Sequence, residues 1–252
     1  MFLLTSLLAC LILALFMPFL GQRVLARRIV FVDLALAQIA ATGYAVGLAT
    51  DSSGTLWAAA VTLVCVFILA ALPHASKLPK EAVMAAAYAI AAATGMILLS
   101  SLPHAEGHMS NLMFGSLLGA NWSDLIVLAV AGLLAVTILH FAGSDSYPRR
   151  LLFYLALASA VVPAIHSLGI ILVFGILLIP ALMVWKGDDN GPLWQATLVA
   201  LLGSLTGVVT AEQFDLPPSS SVVLAMFLCG LPVLVWRCYR YAGNLGIDER
   251  GD

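Results

Sequence analysis

Charge is scarce in this chain. Asp, Glu, Lys and Arg together make up 10% of its 252 residues, against 62% hydrophobic residues. With a mean hydropathy of +1.06, a soluble domain with a single core is excluded, because it could not bury so much apolar surface. Cysteine is nearly as sparse: Cys10, Cys65, Cys229 and Cys238 lie in or at the ends of apolar runs. They form no CxxC and have no nearby histidine, so they read as small buried hydrophobes rather than a disulfide framework or a zinc cluster. No GxxxxGK[ST], HExxH or GxSxG occurs, nor a paired-carboxylate constellation at an aqueous position. Nucleotide hydrolysis and the common enzyme classes are therefore poor readings, and no cofactor is expected. The formal net charge of −2 says nothing about partners until the charges are read by side, and no nucleic-acid partner is expected.

What is present is a series of apolar runs, at about 2–20, 29–49, 56–72, 82–102, 124–142, 151–165, 167–185, 193–211 and 222–239. Most approach the ~20 residues a bilayer requires. The first run is expected to be the first membrane helix rather than a signal peptide, because no basic residue precedes it and almost no apolar core stands ahead of Cys10. Residues 151–185 are too long for one span and give a short first half if divided at 163–167. Charge placement decides for two spans. With nine spans and the N-terminus outside, Arg23, Arg27, Arg28, Lys77, Lys80, Arg149, Arg150, Lys186, Arg237, Arg240 and Arg250 all fall on one side, which is every Lys and Arg in the chain. The expectation is an all-α polytopic membrane helical bundle of about nine spans, N-out and C-in. The 151–165 span would be short or irregular, and one short re-entrant or interfacial outer helix would lie at 109–120. The chain would be one transmembrane domain, with 240–252 as a flexible cytoplasmic tail.

The stretch 23–47 organises this pattern. Three arginines abut an apolar run that carries one acid, Asp33, and one amide, Gln38. Asp33 is expected about five residues, or ~7 Å, past the arginines. A carboxylate there needs a partner or a water-filled cavity. Asp33 and Gln38 are candidates to line a path for a cation, or else a polar pair tying helices together. On the opposite side, Asp51, Glu106, Asp124, Glu212 and Asp215 stand without a basic residue. Such a face attracts cations, or simply follows from the positive-inside bias. His104, Glu106 and His108 precede the short outer segment, and imidazole with carboxylate suits zinc or manganese. A wet polar loop is the alternative reading, and His74, His140 and His166 are weaker candidates.

Three stretches carry a family resemblance, in order along the chain. They are the Arg-Arg, acid and small-residue helix of 23–47; the segment MSNLMFGSLL at 109–118 followed by Trp122, Ser123, Asp124 and Leu125; and GIILVFGILLIP at 169–180. Together they resemble the membrane subunits of zinc and manganese ABC importers, the family 3 permeases. A fainter likeness follows at 214–218. The resemblance implies a homodimeric path for a divalent metal, zinc or manganese, in the bacterial cytoplasmic (inner) membrane. It also implies a separate ATP-binding cassette ATPase and an extracytoplasmic metal-binding protein as partners.

This chain departs from the family in two places. Members usually carry Asp and His four residues apart in the second helix; here Leu34 and Gln38 stand at those positions, with Asp33 one residue early. The usual cytoplasmic coupling helix is reduced to 143–150, where Asp145, Tyr147, Arg149 and Arg150 are the candidate ATPase contacts; the loop 77–81 could share that contact, and solvated turns are the alternative. The rival readings are a secondary cation transporter using Asp33, and a degenerate non-transporting paralogue.

Overall fold

The computed structural model describes residues 2–71, 79–101, 121–141, 147–186 and 191–248. Among these, nine helices follow one another: α1 (Phe2–Ala26), α2 (Val32–Ala49), α3 (Gly54–Ala71), α4 (Lys80–Ser100), α5 (Trp122–Phe141), α6 (Tyr147–Leu168), α7 (Ile170–Met183), α8 (Leu193–Phe214) and α9 (Pro218–Asp248). Eight are long and apolar enough to cross a membrane, and α7 is the exception. The polytopic helical bundle expected from the runs is thus present. The re-entrant segment at 109–120 lies outside the described residues, and α9 continues as helix through 240–248, set apart above as a tail.

The division of 151–185 into two helices holds, but the short one is the second, which leaves eight helices of spanning length among the described residues rather than nine. Tyr147–Arg150, counted in the preceding loop on sequence grounds, form the first turn of α6, which makes it 22 residues long and carries it through Pro163. The turn falls at Gly169, whose φ of 85° is a backbone conformation that glycine adopts without steric penalty. Two contacts place the far end of α6 beside the ends of other helices: the Tyr44 and His166 rings lie 5.6 Å apart, and the Ser219 hydroxyl donates to the Leu168 carbonyl. The chain therefore reverses at Gly169, and α7 returns.

α7 spans only 14 residues, ten of them buried. That is ~21 Å of helix, short of a bilayer's ~30 Å core. It need not match the lipid, because it is the centre of the bundle, packed by α1, α6, α8 and α9 with a small contact from α2. Leu172, Ile176 and Leu177 of α7 join Leu13, Met17 and Leu20 of α1 and Phe153 and Leu157 of α6 in one fully buried core. The outward faces of α3 and α5 are apolar and exposed, with Leu56, Ile68, Ile126 and Leu133 each more than 60% accessible, which suits lipid contact.

Because lipid is as apolar as leucine, close packing must hold such helices together, and small residues permit it. Gly203 and Gly207 of α8 set their backbone against Met226 and Val222 of α9. Gly43 and Gly47 of α2 do the same against Ala58 and Gly54 of α3. Thr42 adds a polar tie, its hydroxyl lying 2.7 Å from the Ala91 carbonyl of α4.

Three helix ends carry a non-glycine residue in the left-handed conformation: Arg28, Asp51 and Asp215, with φ of 53°, 49° and 52°. After α1, the Arg28 amide donates to Leu25 and the Ile29 amide to Val24, and both Val24 and Ile29 are buried. This is the Schellman pattern with its hydrophobic contact. It stops α1 and turns the chain into α2.

Candidate functional site

That turn decides where the acid sits. Because Arg28 ends one helix and Val32 begins the next, Asp33 belongs to the first turn of α2. It is not a residue several positions along a helix continuous from the arginines. Its carboxylate lies against the backbone N–H groups of Asp33 and Leu34, two of the donors that a helix start leaves without an intrahelical partner. A negative group there also suits the positive end of the helix dipole. The side chain is only 2% exposed, and Oδ1 has no hydrogen-bond partner among the described residues. The buried carboxylate thus keeps at least one oxygen able to take a proton, a donor or a cation.

Gln38 lies five residues on, ~140° around the helix from Asp33. It is half-buried, on the partly accessible face of α2 that also carries Leu34 and Thr42. The two sequence-predicted residues do not share a face. Thr42 keeps this face against α4: its hydroxyl is 2.8 Å from the Gln38 carbonyl as well as near that of Ala91, and Gly95 lies opposite.

The basic end of α1 is more tightly built than its sequence suggests. The Arg23 guanidinium lies 4.6 Å from the Phe19 ring centroid and its Nη1 donates to the Leu139 carbonyl of α5 at 2.9 Å. Leu139 is in the last turn of α5, where carbonyls lack helical partners and a cation is favourable. Arg27 stacks over the fully buried Phe153 of α6, 4.1 Å from its centroid, a cation–π contact strengthened by desolvation. Gln22, also buried, donates to the Gly191 carbonyl at 2.9 Å. From α9, Arg237 donates to the Val184 carbonyl and, at 2.8 Å, to Gln195 Oε1. None of these pairings was apparent in the sequence; the i, i+4 spacing of Phe19, Arg23 and Arg27 was the one available signal.

Arg149 is exposed and Arg150 half-buried at the start of α6. Asp145 and the trio His104, Glu106 and His108 lie outside the described residues, as does the side chain of Tyr147. Among the described residues, no three His, Cys, Asp or Glu side chains come together as a metal cage.

Among the described residues, eight helices long and apolar enough to cross a membrane pack with a short buried ninth, which defines a multi-pass membrane protein. Residues 1–146 and 143–236 match the model of the ABC 3 transport family. The chain belongs to this family. It is 26% identical over 156 residues to the high-affinity zinc uptake system membrane protein ZnuB of Buchnera aphidicola, covering 54% of this chain and 60% of that one. It is 21% identical over 170 residues to the manganese transport system membrane protein MntB of Synechocystis, covering 60% and 55%. The match thus spans less than two thirds of the length of these relatives. The solved PsaBC from Streptococcus pneumoniae in complex with Fab has a chain of the same fold, with a TM-score of 0.70 at 18% identity over 92% of this chain and 90% of that one.

Proposed function

We propose that this chain is the membrane-spanning subunit of an ATP-driven importer for a divalent transition metal, zinc or manganese, in the bacterial cytoplasmic membrane. Two copies form the path. A separate ATPase binds at the basic end, and an extracytoplasmic metal-binding protein delivers cargo to the acidic end. The observation that carries the reading is the family match, which extends to residue 236 and so includes every membrane helix. The names of the relatives support a metal cargo, and the segregation of charge supports the orientation.

In this reading Asp33 and Gln38 border the inner half of the path, and His104, Glu106 and His108 collect the ion outside. Asp33 supplies the anionic oxygen that zinc or manganese prefers; the Gln38 amide is a weak ligand for either. Asp145, Tyr147, Arg149 and Arg150 meet the ATPase.

The test is reconstitution in liposomes with the ATPase and the metal-binding protein, followed by zinc and manganese uptake. The expected result is uptake that requires both ATP and loaded binding protein. Uptake that survives ATP depletion but collapses with the proton gradient would instead establish a secondary transporter using Asp33. Assembly without uptake of any divalent metal would establish a non-transporting paralogue.

A further inference from the structure

The last turns of α1 touch the borders of two connections at the basic end of the bundle, those of α5–α6 and α7–α8. On one side, Arg23 holds the Leu139 carbonyl just before the 142–146 connection, and Arg27 holds Phe153 just after it. The two arginines are four residues apart and so stand one above the other on a single face of α1. On the other side, Gln22 holds the Gly191 carbonyl in the α7–α8 connection. Gly191 itself presses on the Val184 carbonyl, with no room for a Cβ, while Arg237 grips the same carbonyl from α9. Immediately beyond, the Arg28 turn leads into α2 and Asp33.

We propose that Gln22, Arg23 and Arg27 are positioning residues that brace the end of α5 and the start of α6 against Gly191 ahead of α8, so that displacement of the first pair is transmitted to Gly191 and to the start of α2. The brace rests on the proposed function, in which the α5–α6 connection meets the ATPase. It explains how a connection of so few residues can still pass on a push. The loop needs no lever of its own if both of its roots are clamped to a helix that reaches the core. Each contact is charge-assisted or buried, so it resists sliding more than a plain apolar contact does.

Two measurements on the full complex test this. The first is hydrogen exchange of the complex in detergent, which does not depend on transport. Arg23→Gln with Arg27→Gln is expected to raise exchange at least tenfold in 139–153 and also in 184–195, which neither arginine touches directly. Faster exchange confined to 139–153 would overturn the brace.

The second is ATP hydrolysis with and without loaded binding protein. Arg27→Gln and Phe153→Leu are expected to keep the basal rate within twofold and to lose most of the stimulation. Arg27→Lys, which keeps a cation over the ring, should restore at least half of it. Stimulation unchanged in Arg27→Gln, or lost equally in Arg27→Lys, would overturn the proposal. If the wild-type complex shows no stimulation at all, the importer reading fails, while the exchange experiment still decides the brace.

Discussion

Gly21 is where α1 meets the central helix, and replacing it with alanine tests whether α7 is the hub of the bundle. A Cβ at Gly21 would fall on the Leu177 carbonyl of α7, 2.9 Å from its carbon and nearer still to its oxygen, with the Ala181 Cβ at 3.1 Å. The obstructing atoms are backbone, so no side chain can swing away. The helices must part by about 1 Å, and a gap of that size forfeits roughly a quarter to a half of the dispersion energy along the contact. Overpacking of a well-filled core costs about 1–3 kcal/mol, and Gly21→Ala belongs at the upper end. For a chain of this size that corresponds to a fall of about 6–12 °C in the thermal midpoint.

Gly230→Ala is the control. Its Cβ would meet the Met183 side chain, with Cγ at 2.6 Å and the sulfur at 3.2 Å. A flexible thioether can yield, so the cost falls to about 1 kcal/mol or less. Thermal unfolding of the two variants in the same detergent, read by loss of monodisperse protein, gives the comparison. Equal midpoints for both variants would refute the argument that backbone contact at α1 and α7 fixes the bundle.

Asp33→Asn keeps an acceptor for the amides at the start of α2 but removes the charge. It should lower metal uptake at least tenfold while leaving the thermal midpoint within about 3 °C, as the side chain keeps its size and a polar oxygen; uptake at the wild-type rate would remove Asp33 from the path. Gln38→His alone should change metal affinity little, because Asp33 lies on another face, whereas Leu34→Asp with Gln38→His should bind zinc at least tenfold more tightly in equilibrium dialysis. Equal affinity for the single and double variants would refute that geometry. Arg28→Gly relieves a left-handed residue and should stabilise by about 0.5–1 kcal/mol, read as a small rise in thermal midpoint.

The membrane helices are legible in the sequence because most are long apolar runs, and the excess length of 151–185 is what points to two helices there. The lengths within that division were not legible. Pro163 suggested a break, yet the helix runs through it, and Tyr147–Arg150 belong to α6 rather than to the loop before it. The position of Asp33 in its helix differs from the sequence expectation for a related reason. A helix end at an arginine in the left-handed conformation carries no glycine to announce it, so the apolar run from 29 looked like uninterrupted helix. The contacts of Gln22, Arg23 and Arg27 pair residues more than a hundred positions apart, and no local pattern encodes such partners.

A central helix screened from lipid on nearly all sides is indifferent to how thick the surrounding membrane is. Its neighbours are not: when the hydrocarbon layer thickens or thins, peripheral helices such as α3 and α5 accommodate the mismatch by tilting. In this protein that adjustment would fall on the exposed outer helices, while the buried α7 has little lipid contact through which to feel it. Lipid composition would then act on the rim of the bundle, with its middle left undisturbed.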